Sequence, residues 1–512
     1  MNFRYPFLTS CLCSVRAAGL LFALSIFSLN AAGDEATRDD PPRPPNVIFI
    51  LMDDMGFSDV SCYGAEKVKT PNIDRIAAEG LRFTDFHTAA SICSPSRAAF
   101  LTGAYPQRNG LYLGINPKRE AHWFLGLNPE EITIAEQFKA KGYTTSMIGK
   151  WHLGMQEKFL YFHQGFDRYY GAPENMGHSA LFYDGREVIY KRTPLDRLTT
   201  LYTGRIVEQI GEFKDDPFFI YYAHNYPHTP YEAGKKFKGS SDDGVRGDVI
   251  QEVDRGIGEI LKALEENGIL ENTMVIFSSD NGATSATYSR PYRGTKYVSL
   301  EGGHRVPFII YWKGRIEKPA VVNVPVNAMD LFPTLSELIG APMPDDRIYD
   351  GVSLMPLLSG GEIARSDEKP FYYYNCENLQ AVRVGDWKLH LPRTVRQIPW
   401  WGRKLQPPIA SPQLYNIEAE AGERTDLAAE YPDRVSEMMA LAEETRLKLG
   451  EFGERGSEQR PTGTLFPEVP ILSNQAQDWD PLPDAEKGRG RTEFKGAHTV
   501  KNKRKGKKSK KQ

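Results

Sequence analysis

Apolar residues come in short, nearly unbroken runs, and each run stops at a polar cluster. Asn46–Met52 (NVIFILM) leads into Asp53-Asp54, Phe218–Ala223 (FFIYYA) into His224-Asn225-Tyr226-Pro227-His228, and Thr273–Ser279 (TMVIFSS) into Asp280-Asn281-Gly282. Runs without apolar–polar alternation predict strands buried on both faces, as in a parallel sheet. A fourth strand, Thr144–Ile148, ends in Gly149-Lys150-Trp151-His152. Between these runs the apolar period lengthens to that of a helix. Val249, Val253, Ile257, Ile260 and Leu264 line one face of a helix over Val249–Leu264, and a second helical stretch covers Ile134–Lys141. Thr70-Pro71 opens a third helix, with Ile73, Ile76 and Ala77 on one face and a stop at Gly80. Strands and helices alternating in this way predict an α/β domain built on a mostly parallel sheet sandwiched by helices.

After about Gly360 the texture changes. Tyr372–Tyr374, Ala381–Val384, Trp387–Leu389 and Gln413–Ile417 are strand-like pieces between turn residues, and a helix follows at Pro432–Leu449. This predicts a smaller α+β domain with an antiparallel sheet. The chain of 512 residues thus divides into a signal peptide (1–33), a linker (34–45), a catalytic domain (46–360), a C-terminal α+β subdomain (361–455) and an extended basic tail (456–512). The leader sets Arg4 and Arg16 before an apolar run from Ala17 to Leu29, with small residues at Ala31, Ala32 and Gly33. That layout predicts an exported protein, periplasmic or secreted, with no integral membrane segment in the mature chain.

Charge changes the picture in one respect. The net charge of −3 conceals an asymmetry, since residues 487–512 hold twelve Lys and Arg against Glu493 alone. An acidic body with a basic end argues against a nucleic-acid partner. Of five cysteines, Cys11 and Cys13 leave with the leader. Cys62, Cys93 and Cys376 remain, an odd number that sets one thiol apart; Cys62 and Cys376 are the candidate disulfide pair.

Ligands of open α/β sheets bind beyond the carboxyl ends of the strands. There the four strands carry Asp53-Asp54, Lys150 and His152, His224 and His228, and Asp280-Asn281. One such pair alone is more often a turn or a helix cap than a ligand, but four at one end of a sheet point to a site. Asp53, Asp54, Asp280 and Asn281 offer only oxygen, which suits calcium or magnesium and argues against zinc. Lys150, His152, His228 and Arg97 supply cationic donors for an anionic substrate such as a sulfate or phosphate ester. The most specific stretch is Cys93-Ser94-Pro95-Ser96-Arg97-Ala98-Ala99-Phe100-Leu101-Thr102-Gly103. With Ser94 as N-cap, Pro95 at the first helical position and Gly103 at the end, it predicts a helix that puts Cys93 at an electropositive N-terminus. By itself Cys93 reads as a buried structural cysteine, with a thiolate nucleophile as the second reading.

This stretch resembles the C-x-P-S-R-x-x-x-L-T-G signature of the type I sulfatases, whose cysteine is oxidised to formylglycine. Asp53-Asp54, Gly149-Lys150-Trp151-His152-Leu153-Gly154, Pro227-His228, Ser279-Asp280-Asn281-Gly282 and Lys296 ahead of Glu301-Gly302-Gly303 fit the same family. The likeness runs from about Asn46 to the 450s, and is to the arylsulfatase A and N-acetylgalactosamine-6-sulfatase-like members. It implies an alkaline-phosphatase-like fold and hydrolysis of a sulfated carbohydrate or aryl sulfate. It also implies that Cys93 becomes formylglycine through a formylglycine-generating or equivalent maturation enzyme. Calcium, with magnesium as the alternative ion, would be held by Asp53, Asp54, Asp280, Asn281 and the side chain at position 93.

The same resemblance implies the individual roles. Asp280 would help deprotonate the attacking hydroxyl. Lys296 and His228 would bind the sulfate, one of them protonating the leaving oxygen. Arg97 and Lys150 would hold the formylglycine oxygens, and His152 would take a proton from the second hydroxyl. His224 rivals His228, although the spacing to Pro227 favours His228. The segment Ala172-Pro173-Glu174-Asn175 lacks the serine that some arylsulfatases place near the sulfate; Glu174 or Asn175 reads as a substrate contact or as plain loop. Trp400-Trp401, flanked by Arg396 and Arg403, reads as a sugar platform or as packing between domains. Two rival functions stand beside the sulfatase: a phosphate or phosphonate ester hydrolase of the same superfold, and an inactive, glycan-binding relative.

Overall fold

Every side chain of the strand Asn46–Met52 is buried, and the pleat sends them alternately to two cores. Ile48, Ile50 and Met52 join one core, which also takes the apolar faces of the helices Pro71–Ala78, Leu198–Phe213 and Gly244–Glu266. Val47, Phe49 and Leu51 join the other, with the helices Cys93–Thr102, Ile134–Ala140 and Leu331–Leu338. A strand covered on both faces has no polar side to show, which is why its sequence reads as a continuous apolar run. The computed structural model describes residues 43–465 except 117–119, 175–179, 317, 364–368, 394–406 and 452. The leader, Asn175, Arg396, Trp400, Trp401, Arg403 and the basic run 487–512 lie outside the described residues.

The main sheet has ten strands, in the order Ala320–Val322, Leu81–Phe83, Phe308–Tyr311, Thr273–Ser279, Asn46–Met52, Phe218–Ala223, Thr144–Gly149, Arg168–Gly171, Phe182–Asp184, Glu187–Tyr190. The run from Thr273–Ser279 to Arg168–Gly171 is parallel, so the strands bearing the polar clusters deliver them to one end. Antiparallel pairings begin at Phe308–Tyr311 on one flank and at Phe182–Asp184 on the other. This is an α/β sandwich on a mixed, mostly parallel sheet. A separate antiparallel sheet joins Phe371–Asn375, Asn378–Val384, Trp387–His390 and Gln413–Asn416 in sequence order. The helix Pro432–Leu449 packs on it through Met438, Ala442 and Leu449.

The small sheet lies against the main body. Its core takes in Ala89, Ala99, Tyr105 and Met329 beside Tyr373, Leu379 and Leu389. The Cys93–Thr102 helix is therefore wedged, with Ala98, Phe100 and Leu101 toward the main sheet, Ala99 toward the small one, and all ten residues buried. A second contact is ionic: Asp85, Glu301 and Arg305 of the body meet Arg383, Lys388 and Glu423 of the C-terminal region in a buried cluster.

Three details differ from the sequence reading. The helix at Cys93 starts at Cys93 itself, with Ile92 in the cap position. Ser94 is not its N-cap, because its hydroxyl accepts the Ile115 amide (3.1 Å). Cys62 and Cys376 are both free thiols and sit in separate packing clusters, Cys62 beside the Pro71–Ala78 helix and Cys376 beside Ile92 and Tyr297. The chain beyond 455 does not trail away at once. Arg460 holds Glu131 through two hydrogen bonds (2.6 and 2.7 Å), and Gly463–Thr464 pairs antiparallel with Leu125–Gly126. Among the described residues no helix is long and apolar enough to cross a membrane.

Candidate active site

Asp53 and Asp54 follow the central strand directly. The Asp53 amide donates to Tyr226 O (3.1 Å), and Asp54 takes a left-handed backbone, φ 66°. Arg246 secures that turn: it is paired with Asp59 and donates to Asp54 O (3.3 Å). At the next strand, the Asp280 amide donates to Met52 O (3.0 Å). On the other side Gly149 has φ 105°, and a Cβ there would lie 2.0 Å from Ala223 O, so only glycine lets the two strand ends approach. Past this point the Lys150 amide donates to Ala223 O, and the Trp151 and His152 amides both donate to Pro173 O. Buried Trp151 anchors the turn through an indole hydrogen bond to Phe159 O (2.9 Å).

Ligand atoms of Asp53, Asp54, Cys93 and Asp280 lie within 4.8 Å of one another, all on buried residues. Cys93 Sγ donates to Asp53 Oδ1 (3.4 Å) and accepts from Lys296 Nζ (2.9 Å), which also binds Asp54 Oδ1. Lys150 Nζ holds Asp53 Oδ2 (2.7 Å), and Arg97 Nε holds Asp280 Oδ2 (2.9 Å). Asp53 meets a second cation as well, with Arg97 3.6 Å from its Oδ1. The Asn281 amide donates from Nδ2 to Asp54 Oδ1 (2.8 Å), while its buried Oδ1 has no partner. A buried acceptor left unpaired is costly. The three converging carboxylates, bordered by the Asn281 amide, offer an oxygen-rich group that fits a hard divalent cation. The residues present therefore suit calcium or magnesium.

The electrostatics assign protons. Burial pushes Asp53 upward, but Lys150, His228, Arg97 and Lys296 outweigh it and hold its carboxyl well below the usual range. Burial wins at Asp280, which rises to about 6 despite Arg97. Lys296 is buried yet held firmly protonated by Asp54 and Cys93. Burial pushes the Cys93 thiol up, against Lys150 and Lys296, so the helix N-terminus does not make it a thiolate. His152 is driven well below its ordinary value by burial and by Lys150 and Arg97. Its Nε2 lies 2.7 Å from Ile115 O, which fixes the proton there and leaves Nδ1, buried and unpartnered, as the basic nitrogen.

Of the two rival histidines, His224 is sealed in the core, its Nδ1 accepting the Tyr226 amide (2.8 Å) and its Nε2 beside Thr199 Oγ1 (3.1 Å). Burial lowers it to about 3, a structural role. His228 turns Nε2 toward Asp54 Oδ2 (3.9 Å) and is 16 % exposed. Glu174 contributes its backbone carbonyl to Asn225 Nδ2 (3.2 Å). Cys93, Arg97, Lys150, His152, His228, Asp280, Lys296, Asp53, Asp54 and Asn281 thus form one group joined by direct contacts and mutual electrostatic interaction. Sequence reasoning missed the residues that aim them: Asp59, Arg246 and Ile115. Arg246 reaches Asp54 O and Asp59 from 192 and 187 residues away, and Ile115 acts through its own backbone, so no motif marks them.

The chain matches the Sulfatase family over residues 45–341 and the C-terminal region of aryl-sulfatase over 366–462. It is 37 % identical to the N-acetylgalactosamine-6-sulfatase of Rattus norvegicus over 414 residues, covering 75 % of this chain and 77 % of that one. It is 36 % identical to the arylsulfatase A of Homo sapiens, over 68 % and 75 % of the two chains. Among solved structures, Ps i-CgsB in complex with k-i-k-neocarrahexaose superimposes with a TM-score of 0.72 at 25 % identity, covering 87 % of this chain and 99 % of that one. The fold is alkaline-phosphatase-like, as in the sulfatase structures it superimposes on. Matched by the family over more than half its length and identical to curated sulfatases at over a third of the aligned positions, this chain belongs to the sulfatase family and is a sulfuric ester hydrolase.

Proposed function

We propose that this protein is an exported sulfatase that removes sulfate esters from carbohydrate. In this reading Cys93 is converted to formylglycine, and a calcium ion is held by Asp53, Asp54, Asp280 and Asn281. The observation that carries it is Cys93 buried among those oxygens, with Lys296 2.9 Å from its sulfur and Asn281 Oδ1 unpartnered. A thiol pushed up by burial is a poor nucleophile, and the hydrated aldehyde of formylglycine supplies hydroxyls there instead. The bound cation supplies Lewis-acid charge for the sulfate oxygens. The likeness to N-acetylgalactosamine-6-sulfatases and to a neocarrahexaose-bound structure supports a sugar substrate.

The chain's own residues then divide the work. Lys296, held protonated, binds a sulfate oxygen beside position 93, and Arg97 and Lys150 fix the carboxylates and the oxygens at that position. His152 takes a proton at Nδ1, because Ile115 O occupies Nε2. His228 is the member of the group open to solvent; its Nδ1 lies against Thr229 O (2.6 Å) and its Nε2 faces Asp54, and in its protonated form it would give a proton to the departing oxygen. The test is sulfate release from sulfated mono- and oligosaccharides and an aryl sulfate. The protein is made in a host that installs formylglycine, the modification is checked by the mass of the Cys93 peptide, and Cys93→Ala is the blank. Release of sulfate from a 6-sulfated galactose or N-acetylgalactosamine unit is expected. Turnover of phosphate or phosphonate esters alone would overturn the substrate class.

A further inference from the structure

We propose that Asn375, in the C-terminal sheet, is a positioning residue for Lys296; this rests on the sulfatase reading above. Lys296 reaches its place between Asp54 and Cys93 from a loop that has no regular structure of its own. The next residue, Tyr297, has φ 77°, a left-handed conformation that a bulky side chain adopts only where its surroundings impose it. Two contacts impose it. The Tyr297 amide donates to Ser91 O (2.9 Å), two residues before Cys93. Its carbonyl accepts from Asn375 Nδ2 (2.7 Å).

The Asn375 amide is itself held. It ends the strand Phe371–Asn375, where the hairpin turns through Cys376, which has φ 54°. Cys376 packs on Ile92 and Tyr297, and its carbonyl accepts from Gln107 Nε2 (2.7 Å). Gln107 belongs to the short helix Pro106–Asn109, which follows the nucleophile helix after only a few residues. Farther along the same loop, Ser299 Oγ donates to Gln380 Oε1 (2.8 Å) of the next strand. The hairpin tip therefore spans from the nucleophile helix to the lysine loop, and the Asn375 amide is its bond to the carbonyl of Tyr297, the residue after Lys296. On this geometry the small sheet fixes the distance between an anion-binding lysine and the nucleophile. Its Asn375 acts through Lys296 and touches no substrate.

The test uses Asn375→Asp, which keeps the shape and removes the donor, with Asn375→Ala as the second variant should the first not fold. Asn378→Ala, at the opposite side of the same turn, is the control. Each is measured alone and in a Lys296→Ala background. Asn375→Asp is expected to lower kcat/KM for sulfate ester hydrolysis by about ten- to a hundredfold, the scale of a misplaced catalytic group. In the Lys296→Ala background it should lower it no further. Wild-type activity in Asn375→Asp, or an equal loss in both backgrounds, would overturn the proposal. A crystal structure of Asn375→Asp gives a readout independent of substrate. Lys296 Nζ should leave the Cys93 side chain, and Tyr297 should return to negative φ; an unmoved lysine would equally overturn the proposal. If the wild-type protein hydrolyses no ester at all, the functional reading fails and the structural arm alone decides.

Discussion

Two buried clusters in this molecule have the same formal inventory and opposite designs. At the strand ends, Asp53, Asp54 and Asp280 meet Arg97, Lys150 and Lys296. Between the body and the small sheet, Asp85, Glu301 and Glu423 meet Arg305, Arg383 and Lys388. In the second cluster cations separate the acids. Lys388 lies between Glu301 (2.9 Å) and Glu423 (3.0 Å), and Arg383 takes both oxygens of Asp85 (2.8 and 2.7 Å). Tyr373 and His87 complete the coordination of Glu301, each at 2.7 Å. In the first cluster the acids converge, their ligand atoms within 4.8 Å of one another and of Cys93, beside a buried asparagine whose amide oxygen has no partner. Equal numbers of charges do not make a site. What makes one is acceptors arranged so that the protein itself cannot satisfy them.

That contrast is broken most sharply by deletion. Cys93→Ala is expected to remove essentially all sulfate release, a fall of about 10⁴-fold or more as for loss of a nucleophile, with a thermal midpoint close to that of the parent. Lys388→Met should do the reverse. Removing the cation leaves Glu301 and Glu423 buried and facing each other, which destabilises by about 3–5 kcal/mol. Urea unfolding should show this loss, while the folded fraction keeps kcat within about tenfold, less than a misplaced catalytic group costs. If Lys388→Met abolished turnover at full stability, the division between the clusters would be wrong.

The two clusters were also unequally legible in sequence. The first sits at the ends of strands whose apolar runs are unmistakable, and its cysteine lies in a long motif, so Asp53, Asp280 and Cys93 could be named from the chain alone. The second is spread from Asp85 to Glu423, and neither periodicity nor a motif brings those positions together. The flanking strands, such as Arg168–Gly171 and Ala320–Val322, are three or four residues long, too short for a period to show. Ser94 misleads for a related reason. Its residue type suits a cap, but the Ile115 amide, supplied by a loop 21 residues away, claims the hydroxyl. Local chemistry proposes, and partners distant in sequence decide.

Cation linkage sharpens the comparison at smaller amplitude. Calcium at about a hundred times its Kd stabilises a folded protein that alone binds it by about 2.7 kcal/mol. The thermal midpoint should therefore rise with calcium and fall with a chelator. Asn281→Ala, which deletes the orphaned Oδ1, should lose most of that shift. Lys388→Met, though less stable, should keep it, because the carboxylates of the second cluster present no converged group of ligand atoms. Equal shifts in both variants would mean that the ion binds elsewhere.

The smallest effect concerns acid. Arg383 and Arg305, with His87 nearby, hold the Asp85 carboxyl at about 2 although burial opposes them. A carboxyl whose folded pKa lies below its unfolded value stabilises the fold above that unfolded value, near 3.8, and the gain disappears as pH falls through the folded value. Nearly two units correspond to about 2 kcal/mol at neutral pH. Roughly half of that is gone by pH 3, and the rest below it. Asp85→Asn should be less stable than the parent at pH 7, and the gap in urea stability should narrow by about 1 kcal/mol between pH 7 and pH 3. The narrowing should be the same with calcium or chelator, because Asp85 belongs to the cluster that has already satisfied itself. A gap that depended on the metal would join the two clusters into one electrostatic unit and end the comparison.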